Sequence, residues 1–141
     1  MPSFLNSMLC NMSQMDALAR SFSKQIKKGT VIAFFGELGS GKTTFTVMLA
    51  KHLGILDQVS SPTFTYLNIY DDKIAHFDLY RLKHSNEFFS MGFEEYLDSH
   101  FITIIEWPEL IKDFLPENTI YLHFNHQENK REISTNVKIL L

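Results

Sequence analysis

The sequence holds a single cysteine, Cys10, so no internal disulfide can form, and a reducing compartment fits best. It has only three arginines, Arg20, Arg81 and Arg131, and a net charge of −3. That balance argues against a broad electrostatic footprint for nucleic acid, though not against a local contact. The opening run MPSFLNSMLCNMSQMD contains no lysine or arginine, and the chain has no long uninterrupted apolar stretch. A signal peptide or membrane span is therefore not expected. Internal repeats and low-complexity segments are missing as well. What remains is ordinary globular material: 141 residues, 45% hydrophobic and 21% charged, enough for one core. We expect a cytoplasmic protein with one domain over residues 1–141, of which residues 1–12 form a loosely attached N-terminal segment.

Hydrophobic spacing sets out the elements. Ser13-x-x-Asp16 opens a helical pattern carried by Met15, Leu18, Ala19, Phe22 and Ile26, closed by Lys27, Lys28 and Gly29. TVIAFF reads as a buried strand, and TTFTVMLAKHLG as a helix ended by Gly54. YLNIY and KIAHFDLY alternate on either side of Asp71-Asp72, which predicts an antiparallel hairpin. SNEFFSMGFEEYLDSH predicts two helical pieces around Gly92, with Ser85 as cap. FITII is a further buried strand, followed by a short helix over Leu110 to Phe114. TIYLHFN and REISTNVKILL then predict a second hairpin across HQENK. The expected fold class is α/β: a phosphate-loop NTPase-like mixed sheet with flanking helices.

Between the first buried strand and its helix lies GELGSGKTTF, which matches G-x-x-x-x-G-K-S/T in the strand–loop–helix context that the motif requires. Glycines let the backbone turn so that successive N–H groups point inward and bind an anion. The following helix adds the positive end of its dipole. The candidate nucleotide-binding segment is thus Gly36, Glu37, Leu38, Gly39, Ser40, Gly41, Lys42, Thr43 and Thr44. Lys42 would meet the β- and γ-phosphates, and the Thr43 hydroxyl would ligate magnesium. Glu37 repels phosphate and is expected to face solvent or a neighbouring cation.

A magnesium site of this kind needs a carboxylate at the end of a nearby apolar strand. FITIIE ends in Glu106 and IAHFD ends in Asp78. We assign Glu106 to the metal, directly or through water, and Asp78 to the attacking water or the metal's shell; the roles can be exchanged. His76 shares a strand face with Asp78 and can join the site, although a strand histidine is more often structural. The six histidines show no zinc spacing. Trp107 follows Glu106 directly, where its ring either packs the core or gates the site, and Pro108 stiffens the exit. The loop SSPTF offers the Ser61 and Thr63 hydroxyls as a switch-like segment or is a plain linker.

A GTPase should carry D-x-x-G and N-K-x-D. The former is absent, and the nearest match to the latter, NKRE at Asn129 to Glu132, has the wrong acid. A small-molecule kinase needs lid arginines, for which three scattered residues are a poor supply. A nucleotide switch acting on a partner is the better reading. The kinase, and an assembly subunit that binds ATP without turnover, remain the alternatives.

GELGSGKTTF, SPTF, HFDLYRL and IEWPE, in this order, resemble the bacterial TsaE (YjeE) family over nearly the full length. The family supplies the ATPase component for making threonylcarbamoyladenosine in tRNA. The resemblance implies ATP and Mg2+ as cofactors, with slow hydrolysis. It implies TsaD-like and TsaB-like partners, a complex reset between turnovers, tRNA met indirectly and no membrane. By position it implies that Lys42 binds phosphate, Thr43 and Glu106 hold magnesium, Asp78 serves hydrolysis and Trp107 sits by the nucleotide. Ser13 and Arg131 would approach the nucleotide from outside the loop, while Ser13 also reads as a helix cap and Arg131 as a strand-surface charge. Arg81 would face the partner or pair with an acid. Glu37 and Ser40 stand where the family often has aspartate and alanine.

Overall fold

The computed structural model describes residues 6–62 and 65–139. Seven strands form one sheet in the order β1-β7-β6-β2-β5-β4-β3. They are β1 (Asn6–Cys10), β2 (Val31–Phe35), β3 (Leu67–Tyr70), β4 (Ile74–Asp78), β5 (Ile102–Glu106), β6 (Ile120–Gln127) and β7 (Lys130–Thr135). β2 runs parallel to β5 and β6, and β4 parallel to β5, while the outer pairs are antiparallel. The central strands are parallel and covered on both faces, which explains why all five residues of β2 are buried.

Alternation along the strands sends side chains into two cores. On one face, Ile32, Phe34, Ile104 and Phe124 pack with Leu18 and Phe22 of α1 (Met12–Gln25) and Phe45 and Leu49 of α2 (Lys42–His52). On the other, Ala75, Phe77 and Ile105 pack with Phe88 of α3 (Ser85–Ser90). The Phe93–Leu97 stretch forms a 3-10 turn beside them, where Phe93 and Tyr96 meet the Phe77 ring edge-on.

The α/β class, the mixed sheet and both hairpins agree with the sequence reading. Five local expectations change. Residues 6–10 are not loosely attached: β1 pairs with β7 along its whole length. Asn11, and not Ser13, caps α1, because its side chain accepts from the Gln14 N–H while Gln14 reaches back to the Asn11 N–H. His84 occupies the cap position of α3, and Ser85 is its first helical residue. The helix read over Leu110 to Phe114 is a 3-10 turn confined to Lys112–Phe114. The second hairpin is also tighter, since His126, Gln127 and Lys130 belong to the strands and leave Glu128 and Asn129 as the turn. The Thr63 expectation lies outside the described residues.

Candidate phosphate-loop site

The loop begins where β2 ends at Phe35. A Cβ at Gly36 would lie 2.7 Å from the Phe124 carbonyl oxygen and 2.7 Å from Ser40 Oγ, and φ there is +147°. Only glycine fits that approach. Gly41, at φ +107°, starts α2 without a side-chain cap, so the first α2 amides have no acceptor within the helix. Lys42 follows at once. Its Nζ donates to the Gly36 carbonyl at 2.5 Å and lies 3.6 Å from the centroid of the Trp107 ring. Burial pulls this amine below the usual lysine value, opposed by the nearby Glu106, Glu109, Asp78 and Glu37. The Thr43 hydroxyl is 2.8 Å from Ser61 Oγ and 3.5 Å from Glu106 Oε1.

The two acids arrive side by side because β4 and β5 are parallel neighbours in a register that sets Asp78 opposite Glu106. Glu106 is only 3% exposed. Its Oε2 lies 2.5 Å from His76 Nε2, leaving Oε1 toward Thr43. Asp78 accepts the Tyr80 N–H at 3.0 Å. Burial pushes its carboxyl above the ordinary aspartate value, and the Glu106 charge adds to that rise. Trp107 carries φ +58°, a left-handed backbone that is strained for a bulky residue. Its ring also meets Tyr80, with centroids 4.8 Å apart. The strained turn after β5 aims the indole back at the loop lysine.

These groups line one cleft of about 210 Å³. Of the residues expected at the site it gathers Leu38, Gly39, Gly41, Lys42, Thr43, Thr44, Asp78, Glu106, Trp107 and Arg131, together with Ser61 of the switch-like loop. Arg131 reaches in from β7 and donates to the Gly39 carbonyl at 3.3 Å, while its buried Nε has no hydrogen-bond partner among the described residues. Ser40 Oγ is likewise buried and unpartnered there. Gly36 shapes the loop from beneath, and Glu37 is exposed, as its charge predicts. Ser13 stands apart. It is exposed on α1 and lines a separate groove of about 500 Å³ with Asp16, Arg20, Lys24 and His52.

This geometry stands beside clear likenesses to known proteins. The family described as "Threonylcarbamoyl adenosine biosynthesis protein TsaE" matches residues 9–133. The chain belongs to the TsaE family. It is 34% identical to the tRNA threonylcarbamoyladenosine biosynthesis protein TsaE of Bacillus subtilis, over 88% of this chain and 80% of that one. The Rickettsia felis TsaE is 38% identical over 87% of this chain and 74% of its own. Among solved structures, the crystal structure of Bacillus subtilis YdiB superposes with a TM-score of 0.71 at 28% identity, covering 94% of this chain and 87% of that one.

Membership in the TsaE family leaves one feature of the site to the structure alone. Motif reading offered Ser61 as a switch-like hydroxyl and His76 as a residue that can join the site, but not Tyr70 or its contact with His76. The signal for that contact was the β3–β4 hairpin, which sets Asn68 opposite His76 once the turn is placed. The TsaE motif HFDLYRL ends just past β4, where Arg81 is exposed.

Proposed function

We propose that this chain binds ATP with Mg2+ in the cleft, hydrolyses it slowly, and thereby supports threonylcarbamoyl transfer to adenosine in tRNA. The single observation that carries the reading is the meeting of Thr43 and Glu106 at 3.5 Å beside the buried Lys42. A hydroxyl and a carboxylate are hard oxygen donors of the kind magnesium takes. Donors on Arg131 and Ser40 that have no partner among the described residues, with the first amides of α2, suit a phosphate chain. The residues present therefore fit the nucleotide and its metal.

Each side chain has a task in this reading. Lys42 gives up its contacts with the Gly36 carbonyl and the Trp107 ring to hold the β- and γ-phosphates. Thr43 and Glu106 hold magnesium, which when bound neutralises charge developing on the transferred phosphoryl group. Asp78 orients the attacking water, a role helped by a carboxyl whose raised pKa makes it a better proton acceptor than an ordinary aspartate. Arg131 closes over the loop from β7.

The relatives named for tRNA threonylcarbamoyladenosine biosynthesis supply the biological setting. In it, the chain works in the cytoplasm with TsaD-like and TsaB-like proteins, resets their complex between turnovers, and meets tRNA through them. Among the described residues no helix is long and apolar enough to cross a membrane. The test is ATP turnover by the purified chain, alone and with a TsaB–TsaD pair and tRNA. Slow turnover that rises with the partners supports the coupling. Turnover unaffected by them contradicts it, and phosphate appearing on a small metabolite would favour a kinase instead.

A further inference from the structure

Behind Glu106 runs a chain of polar groups that the proposed chemistry does not use. His76 is completely buried, and its Nε2 meets Glu106 Oε2 at 2.5 Å. Its other ring nitrogen, Nδ1, lies 3.0 Å from the Tyr70 hydroxyl. That hydroxyl donates to the Ser60 carbonyl at 2.6 Å and accepts the Ser60 N–H at 3.2 Å. Asn68 donates to the same carbonyl at 3.2 Å. The next residue, Ser61, places its hydroxyl 2.8 Å from Thr43. The path thus leaves one candidate magnesium ligand, Glu106, and returns through the loop to the other, Thr43.

We propose that His76 and Tyr70 are positioning residues that hold the Glu106 carboxylate and the Ser61 hydroxyl against Thr43 and so preset the metal side of the cleft. A glutamate carboxylate turns freely about its last torsion unless one oxygen is held. His76 holds Oε2, which leaves Oε1 toward Thr43. Tyr70 bonds both the N–H and the carbonyl of Ser60, so the loop cannot carry Ser61 away without breaking two hydrogen bonds. Groups behind a metal ligand commonly change metal affinity by about 10- to 100-fold when removed. A core histidine without this task would need only partners for its nitrogens. Here both partners lead to the cleft.

This inference rests on the magnesium reading of the cleft, and its test separates the two. Calorimetry would measure the affinity of an ATP analogue with an imido bridge between its last two phosphates, in Mg2+ and in EDTA. The ratio of the two affinities reports metal coupling without any turnover. His76→Gln keeps a donor where Nε2 stands, facing Glu106. His76→Asn keeps one where Nδ1 stands, facing Tyr70, and loses the Glu106 contact. The expected result is a large ratio for the wild type and His76→Gln, and a ratio about 10- to 100-fold smaller for His76→Asn, with affinity in EDTA unchanged. Tyr70→Phe, which removes one hydroxyl from an otherwise intact ring, should lower the ratio several-fold and decides the matter where the histidine variants fail to fold. A wild-type ratio in both His76→Asn and Tyr70→Phe overturns the inference alone. Equal loss in His76→Gln and His76→Asn also overturns it, because the Glu106-facing donor would then not matter. A wild-type ratio near one overturns the magnesium reading itself, and this inference with it.

Discussion

Lys42 and Trp107 are locked together: the amine sits 3.6 Å from the indole centroid, and the indole is held there by a left-handed backbone at φ +58°. Trp107 is the single tryptophan in the chain, so tryptophan emission reports on the surroundings of this one ring. Moving Lys42 onto a phosphate chain changes what lies against the ring. Adding ATP and Mg2+ should therefore change Trp107 fluorescence in a saturable way, and Lys42→Ala should abolish the response. Unchanged emission at millimolar ATP would contradict the placement of phosphate beside Lys42.

Among the described residues, Arg131 is the one cleft residue contributed by β7, on the far side of the sheet. Its guanidinium has a buried nitrogen without a partner among the described residues and a second one bonded to the Gly39 carbonyl. A charge-assisted hydrogen bond of this type contributes about 1.5–3 kcal/mol. Arg131→Ala should accordingly weaken ATP binding by about 10- to 100-fold in a calorimetric titration while leaving thermal stability nearly unchanged. Wild-type affinity would return Arg131 to the role of a strand-surface charge.

Asp78 links the site to stability. Burial and the Glu106 charge hold its carboxyl above the ordinary aspartate value, so the folded chain takes up this proton at a higher pH than the unfolded chain does. Where the acid is ionised in both states, that difference opposes folding; as pH falls through the raised value, the folded state is protonated first and the penalty disappears. Asp78→Asn should therefore melt higher than wild type at pH 7 and hydrolyse ATP far more slowly. The gap in Tm should shrink as pH drops toward the ordinary aspartate value. A lower Tm for Asp78→Asn at neutral pH would count against the assignment.

Gly36 tests the loop's geometry rather than its chemistry. An alanine methyl at this position meets the Phe124 carbonyl, which belongs to the paired β6 and cannot swing away. With φ +147° strained for any side chain, Gly36→Ala should cost about 1–3 kcal/mol, seen as a lower denaturation midpoint in urea. The same substitution at Gly39, where nothing lies within 4 Å of an added Cβ, meets only the backbone preference at φ +76° and should cost less.

Much of this was legible in the sequence because it depends on neighbours along the chain. The loop motif, its flanking strand and helix, and the strand-end acids Asp78 and Glu106 are local patterns whose meeting follows from parallel β4 and β5. The cap of α1 was misread by two residues, since Asn11-x-x-Gln14 and Ser13-x-x-Asp16 are both good local signals and only packing chooses between them. β1 was missed because an edge strand with exposed Ser7 and Leu9 has a weak pattern, and its partner β7 lies more than a hundred residues away. Ser13 was placed at the nucleotide by resemblance, yet on α1 it faces another groove. The Tyr70–His76 tether depends on hairpin register and side-chain reach together, which no short motif encodes.

Phosphate release from ATP by the purified chain, measured with Mg2+ and with EDTA for wild type and Glu106→Gln, is the most direct measurement. Glu106→Gln preserves shape and the neighbours His76 and Thr43 but removes the charge that would hold the metal. The account predicts slow release by the wild type that requires Mg2+, and release at least about 100-fold slower in Glu106→Gln, on the scale typical of removing a key electrostatic group. Release that is indifferent to Mg2+, or equally fast in Glu106→Gln, would contradict it.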